Sequence, residues 1–167
     1  QNEKFKIPKI LHPTQFSTVN GKITKFNTIY NYIDVLRITN IDIKEKTWTA
    51  EFYLDLVSQS DDPLDQVIFN NLSSTNDKFS SKEIWRRKDD DDYNTVRYYI
   101  VANFDFLAIA DNYPFDWQSV YISMTLKDNS KHILQPIPLE LVDDEFDINE
   151  WHIENAFSGI KYKKNFL

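Results

Sequence analysis

The sequence is poor in the residues that mark cross-linked and nucleotide-binding proteins. It has no cysteine and only two glycines, Gly21 and Gly159, among 167 residues. Without cysteine, neither a disulfide framework nor a thiolate metal site can form. Without clustered glycines, the chain lacks the loops that cradle phosphates in P-loop and dinucleotide-binding proteins. It also contains no apolar run approaching the roughly 18–20 residues of a membrane-spanning helix. The given residues therefore exclude a disulfide framework, a thiolate metal site, a glycine-rich phosphate loop and a membrane-spanning helix.

The formal net charge of −7 argues against nucleic-acid binding, because binding to phosphates requires a basic face. The chain has no Gly-x-Ser-x-Gly elbow, no His-Glu-x-x-His pattern and no cysteine nucleophile. We therefore expect no nucleic-acid partner, no enzymatic activity and no cofactor. Carboxylates occur throughout so acidic a chain, and a glycosidase-type acid and base stay compatible with the sequence.

The remaining candidates for metal ligands are four consecutive aspartates and three scattered histidines. Calcium prefers clustered oxygens, but contiguous acids cannot all point at one ion and lack the alternate spacing of known calcium loops. We interpret Asp89–Asp92 as a solvated charged loop. The histidines show no ligand spacing, and we expect structural or surface roles for His12, His132 and His152.

Alternation of apolar and polar residues is the main structural signal in the chain. A period of two directs one set of side chains into a core and the other towards solvent or a partner. The clearest apolar set is Trp48, Ala50, Phe52, Leu54 and Leu56, and the intervening set is Thr49, Glu51, Tyr53 and Asp55. A second apolar set is Val96, Tyr98, Ile100, Ala102, Phe104 and Phe106. Both stretches are predicted to be half-buried strands.

Other segments complete the predicted all-β domain. We expect residues 1–21 to be an irregular lead-in, residues 22–167 to form the domain, and residues 73–94 to be loop-rich with one short strand around Ile84 and Trp85. Aromatic residues make up 15% of the chain, and such side chains favour pleated, half-buried surfaces. Several short strands separated by turn signals indicate a sandwich or barrel. Further strands are predicted at 23–43, where the strand is long or bent, at 117–126, at 133–141 and at 150–162. Residues 67–69 are a short apolar run, and Lys44–Lys46 are predicted to form a charged turn.

The stretch from Phe106 to Val120 reads FLAIADNYPFDWQSV. It resembles the signature loop of the Cys-loop receptors, or pentameric ligand-gated ion channels, in which two cysteines with thirteen residues between them enclose Phe-Pro-Phe-Asp-x-Gln. Phe106 and Val120 stand at the two cysteine positions, where an apolar pair can bridge the same strands by packing, as in cysteine-free prokaryotic members. The residues that match the core of the motif, with one aromatic exchange, are Tyr113, Pro114, Phe115, Asp116 and Gln118.

Three further stretches extend this resemblance over roughly residues 22–162. Residues 48–54 resemble the second strand of the family, residues 65–71 its first ligand-binding loop, and Glu150-Trp151 the pair before its ninth strand. The resemblance implies an immunoglobulin-like β-sandwich of about nine strands on the extracytoplasmic (periplasmic or extracellular) side of a membrane. It also implies a homopentameric parent protein, whose tenth strand and membrane helices would follow Leu167.

The resemblance further implies a small-molecule ligand between neighbouring subunits, within a cage of aromatic residues. Phe69 falls at the aromatic position of the first loop, and Tyr53 at the strand-two aromatic on the complementary side. Arg97 and Tyr99 could join that side. Carboxylates such as Glu51 and Asp55 beside aromatic faces suit a cationic amine.

The second binding loop of the family carries an aromatic residue near the position of Lys127, and this sequence has none there. The amine cage is therefore incomplete. Ordinary edge packing or a subunit contact also explains Tyr53, Phe69 and Tyr99.

Two other functions fit the same predicted fold. One is a sensory or assembly module on a non-channel bacterial receptor, such as a kinase or a solute-binding fusion. The other is a carbohydrate-binding sandwich. A carbohydrate binder should line one open face with its aromatics, whereas a channel relative should place Tyr53 and Phe69 on opposite flanks.

Overall fold

The computed structural model describes residues 14–19, 21–75, 78–89, 92–107, 118–129 and 132–137. Within these residues the protein is all-β, with eight strands and no α-helix, which confirms the predicted class. The elements are β1 (Thr14–Val19), β2 (Lys22–Asp42), β3 (Thr47–Ser58), a 3-10 turn (Pro63–Gln66), β4 (Val67–Phe69), β5 (Phe79–Lys88), β6 (Asn94–Asp105), β7 (Met124–Leu126) and β8 (His132–Pro136).

Six of the strands form one sheet, with β1, β2, β3, β6 and β5 hydrogen-bonded in that order and β8 paired in parallel with β2. The pairs along the main path are antiparallel. Strands β4 and β7 pair separately, as a two-stranded antiparallel sheet. The central pair, β3 and β6, runs in register without interruption.

Strand β2 confirms the predicted long or bent strand, since it spans 21 residues and changes register twice against β3. The shifts fall between Val35 and Arg37 and between Thr39 and Asp42. Such irregularities bend a strand locally. The predicted charged turn follows, and the amide of Glu45 donates a hydrogen bond to Asp42 Oδ1 at 2.9 Å.

The core lies on one face of the six-stranded sheet and confirms the apolar set of each predicted alternation. Strand β4 contributes Phe69, whose ring centroid lies 6.3 Å from that of Phe52 and 6.1 Å from that of Phe104. The two sheets therefore share one apolar core. Burying each such side chain contributes about 1.5–3 kcal/mol. The fully or nearly fully buried residues that β3 and β6 contribute to this core are Trp48, Ala50, Phe52, Leu54, Leu56, Val96, Tyr98, Ile100, Ala102 and Phe104.

The opposite side of the sheet, which we call the outer face, carries the intervening residues of β3 and β6: Glu51, Tyr53, Asp55, Val57, Arg97 and Tyr99. A second, smaller apolar cluster covers one end of this face, around Val57. Its other members are Tyr30, Tyr32, Tyr93 and Ile137. The outer face is therefore only partly open to solvent.

The predicted lead-in is wrong for residues 14–19, because these residues form β1 and pair with β2. Val19 lies opposite Lys22, so only two residues connect the strands. Gly21 has a φ of 75°, a left-handed conformation that glycine adopts without strain. The Asn-Gly dipeptide at 20–21 is a strong hairpin signal that the sequence prediction passed over. Residues 1–13 lie outside the described part of the chain.

The short strand predicted around Ile84 and Trp85 is present but longer than expected, because β5 spans Phe79–Lys88 and occupies ten residues of the segment predicted to be loop-rich. Every residue of β5 except Trp85 is exposed, and neither set of alternate side chains in this strand is consistently apolar. Period-two patterns arise only where one face of a strand is buried. Pairing with β6, rather than a pattern of its own, fixes this strand.

The strand predicted at 117–126 shrinks to β7, and residues 118–123 are not part of any strand. The amide side chain of Asn71 takes the place of strand pairing in this segment. It donates to the carbonyl oxygens of Tyr121 at 2.7 Å and Asp105 at 2.9 Å, and its Oδ1 accepts from the amide of Ser123 at 2.9 Å. Of the strand predicted at 133–141, β8 is described; the strand predicted at 150–162 lies outside the described residues.

Candidate functional site

The register of β3 against β6 assembles the candidate site on the outer face. Tyr53 lies opposite Tyr99, and Asp55 lies opposite Arg97. Residues directly opposite each other in an antiparallel pair have Cβ atoms about 4.5–5.5 Å apart, so their side chains meet. Four polar or aromatic side chains thus converge at the centre of the sheet.

An ion pair between Asp55 and Arg97 forms the middle of this site. Arg97 Nε donates to Asp55 Oδ1 at 2.7 Å, and a terminal guanidinium nitrogen donates to Oδ2 at 2.8 Å. The Asp55 side chain is completely buried, and that of Arg97 is 16% exposed. The prediction that Asp55 faces solvent or a partner is therefore wrong, because its own neighbour across the sheet covers it.

Burial sets the protonation behaviour of this pair. Loss of hydration raises the pKa of the Asp55 carboxyl, and the hydrogen bond and charge of Arg97 offset this only in part. The hydrogen bond to Asp55 raises the pKa of Arg97, and the negative charges of Asp55 and Asp34 add to this effect. Arg97 therefore carries a positive charge at neutral pH.

Two aromatic rings flank the guanidinium group. The Arg97 Cζ atom lies 4.8 Å from the centroid of the Tyr53 ring and 5.8 Å from that of Trp85. Both distances are within the range of cation–π attraction. Trp85 comes from β5, where a register shift between Glu83 and Trp85 places it opposite Arg97. The site is built from three adjacent strands.

Tyr99 and Glu51 extend the site along the sheet. The Tyr99 ring meets that of Tyr53 edge-on, with centroids 6.0 Å apart. Burial raises the pKa of the Tyr99 hydroxyl, and the nearby charge and hydrogen bond of Glu51 raise it further. Arg37 lies 3.9 Å from Glu51 but its side chain is 65% exposed, so this ion pair contributes little.

The structure brings together four of the six predicted ligand-binding residues, namely Glu51, Tyr53, Arg97 and Tyr99. Phe69 is not among them, because it lies in the core and meets the rings of Phe52, Phe79 and Phe104. Lys127 is exposed beside β4, where its backbone amide donates to the carbonyl of Gln66 at 2.8 Å. Because Phe69 lies in the core and Tyr53 lies on the outer face, the two residues are on opposite sides of the six-stranded sheet.

The residues at the two ends of the signature segment enter the core. Phe106 is buried in it, and Val120 packs against the same cluster. The Phe106 amide donates to the carbonyl of Lys46 at 2.9 Å, which joins this segment to the turn between β2 and β3. Gln118 is half-buried. Tyr113, Pro114, Phe115 and Asp116 lie outside the described residues.

Sequence reasoning missed Trp85 and Asn71 as site or framework residues. Trp85 was expected in a short strand, and only the bulged register of β5 shows that it faces Arg97. Asn71 belongs to the stretch that resembles a binding loop, yet its amide holds three backbone groups. The usable signal would have been an asparagine close after a short apolar run, because an amide that becomes buried there must find hydrogen-bond partners.

The described aspartates of the acidic run form local ion pairs. Arg87 Nε lies 2.9 Å from Asp89, and Lys88 Nζ lies 3.1 Å from Asp92. In the described ranges, no group of three or more histidine or acidic side chains is placed to hold a metal ion. Asp90 and Asp91 lie outside those ranges.

Comparisons with known proteins add no relative. No protein-family model matches the chain, and no curated protein matches it. Among the residues that the structure describes, no helix has the length and apolar character needed to cross a membrane. The residues and geometry of the chain itself therefore carry the functional proposal.

Proposed function

We propose that this chain is the extracytoplasmic ligand-sensing domain of a bacterial homologue of the pentameric ligand-gated ion channels. The observation that carries the proposal is the segment from Phe106 to Val120, with its Tyr-Pro-Phe-Asp-x-Gln core and an apolar residue at each cysteine position. The burial of Phe106 and the packing of Val120 against the same core support it. An apolar pair at those positions needs such packing to replace a disulfide.

The proposed fold is an immunoglobulin-like β-sandwich of about nine strands. Two observations support this finer description. Strands β4 and β7 pair apart from the six-stranded sheet, and their side chains Val67, Phe69 and Leu126 belong to the same core as β3 and β6. Two sheets that bury their inner faces against each other are the defining feature of a sandwich.

In the proposed protein, a small molecule binds between neighbouring subunits of a homopentamer, and the signature loop passes the response to the membrane part. The outer-face site supplies the complementary side of that interface. Its accessible groups are the partly exposed rings of Tyr53 and Tyr99 and the carboxylate of Glu51. Phe69 is buried, so other residues must form the principal side.

The engagement of Tyr53 favours this function over carbohydrate binding. A carbohydrate-binding sandwich would line one open face with free rings, whereas Phe69 is buried in the core and belongs to no open face. The Tyr53 ring is also engaged by Arg97. It therefore offers less free surface for stacking on a sugar.

The proposal is tested by sequencing the parent gene beyond the codon for Leu167 and imaging its product. A further strand and four apolar segments of about 20 residues each, together with five-fold rings of the detergent-purified protein, would support a channel homologue. A soluble kinase or solute-binding domain would instead support the sensory-module alternative. A stop codon directly after Leu167 would contradict the channel.

A further inference from the structure

Arg97 is held within its own chain as a bound ligand would be held. Its guanidinium group makes two parallel hydrogen bonds to one carboxylate, at 2.7 and 2.8 Å, and lies near the rings of Tyr53 and Trp85. The carboxylate of Asp55 is completely buried. A carboxylate and two aromatic rings thus surround a single cation.

The geometry of this site selects for a planar cation. A guanidinium group presents two N–H donors in a rigid fork that matches both oxygens of a carboxylate. A primary ammonium is a compact point charge and does not reproduce the fork, and a quaternary amine has no N–H to donate. The cationic amine expected from the sequence therefore fits this part of the outer face less well than a guanidino group.

The burial of Asp55 makes the demand for a cation strong. A buried charge that loses its partner is strongly destabilising, because nothing left in the chain compensates for its lost hydration. Asp34 lies opposite Tyr53 across the sheet, and its negative charge also acts on Arg97. When the Arg97 side chain is absent, the site therefore attracts a cation at any pH at which the Asp55 carboxyl is ionised.

We propose that Asp55, Tyr53 and Trp85 form a guanidinium-binding site that Arg97 fills from within the chain. A free guanidino compound binds there when Arg97 is removed, and in the unaltered protein such a ligand must displace Arg97. The inference depends on the outer-face geometry alone and does not require the protein to be a channel.

The test is a thermal unfolding titration of Arg97→Ala with millimolar guanidinium chloride, well below denaturing concentrations. A ligand that binds only the folded state raises the unfolding midpoint. At ten times the dissociation constant, we expect a rise of about 3–6 °C for a domain of this size. Methylguanidinium should act similarly, whereas tetramethylammonium chloride at the same ionic strength should have no effect.

Two controls separate this binding from general salt effects. The unaltered protein should show no rise, because Arg97 occupies the site. The double variant Asp55→Asn, Arg97→Ala lacks the carboxylate and should also show none. If Arg97→Ala does not fold, Arg97→Gln takes its place, since its shorter amide can donate one hydrogen bond to Asp55 and leaves the second oxygen open.

A guanidinium-specific rise in the single variant, absent from the double variant, would support the site. No rise in either single variant would overturn the proposal. Equal rises in the single and double variants would overturn it too, because the carboxylate would then have no part in binding.

Discussion

The two faces of the six-stranded sheet differ in how their side chains interact. The inner face of β3 and β6 consists of apolar side chains that any neighbouring apolar surface can cover. The outer face holds a buried ion pair and a set of rings whose contacts depend on which residue stands opposite which. A shift of one residue between β3 and β6 would separate Asp55 from Arg97, and it would direct the side chains of the shifted strand to the other face. The inner face thus supplies most of the stability, and the outer face adds pairwise contacts that exist only in the observed register.

The largest expected effect is on the inner face. Phe52→Ala should lower the free energy of unfolding by about 3–5 kcal/mol, because it removes a fully buried ring and leaves a cavity. Its neighbour on the outer face, Tyr53→Ala, should cost less, because the Tyr53 ring is only partly buried. Urea denaturation of the two variants measures the difference. Equal losses would mean that the faces are not distinct in the way described.

The second effect breaks the outer face. Arg97→Met should cost about 3–5 kcal/mol, because it leaves the Asp55 carboxylate buried without its partner. The double variant Asp55→Leu, Arg97→Met removes both charges and should recover most of that loss. Denaturation curves of both proteins provide the measurement. A double variant as unstable as the single one would show that the pair is needed for folding in a way that apolar packing cannot replace.

The third effect concerns the hydrogen bonds of the Asn71 side chain, which connect the end of β6 to the segment before β7. Asn71→Ala should cost about 1–3 kcal/mol, because backbone groups of Asp105, Tyr121 and Ser123 lose their partner. Hydrogen exchange should quicken at the amide of Ser123 more than at amides in the middle of β3. Asn70→Ala is the matched control, since the exposed Asn70 side chain bonds to the hydroxyls of Ser123 and Thr125, and its loss leaves the partner of the Ser123 amide in place. Unchanged exchange at Ser123 would contradict the bridging role.

The smallest effect is a dependence on pH. Because burial raises the pKa of Asp55, its carboxyl binds a proton at higher pH in the folded chain than in the unfolded chain. Its contribution to stability is therefore complete below the unfolded pKa, about 3.9 for an aspartate, and is lost as the pH rises through the folded pKa. Relative to Asp55→Asn, the unaltered protein should become less stable as the pH rises above about 4.

Denaturant titrations of both proteins between pH 4 and neutrality, the range that follows from the ordinary aspartate pKa of about 3.9, provide the measurement. A difference that grows with pH in favour of the unaltered protein would have the opposite sign. It would show that the charge and hydrogen bonds of Arg97 outweigh the cost of burial.

The elements that could be predicted from the sequence are those in which a single strand carries its own pattern of apolar and polar residues. The alternation in β3 and β6 needs no partner to be recognised, and Asn-Gly at 20–21 would have revealed β1 as well. Strand β5 carries no such signal, because both of its sets of side chains are exposed. Composition and local pattern therefore sufficed for the class and for the inner face.

The candidate site was predictable only in part, for a related reason. Glu51, Tyr53, Arg97 and Tyr99 were found from their outward positions and a family resemblance. The pairing of Asp55 with Arg97 required the register of two strands that lie about forty residues apart in the chain. Trp85 required the bulge in β5. Register and bulges are properties of strand pairs, and a single segment does not contain them.

A double-mutant cycle on Asp55 and Arg97 tests the central claim most directly, since it isolates the interaction between the two side chains. The unaltered protein, Asp55→Ala, Arg97→Ala and the double variant are compared by urea denaturation. A fully buried, bidentate pair in register should give a coupling energy of about 1.5–3 kcal/mol. A coupling below about 0.5 kcal/mol, as in an exposed surface pair, would contradict the register and the outer-face site built on it.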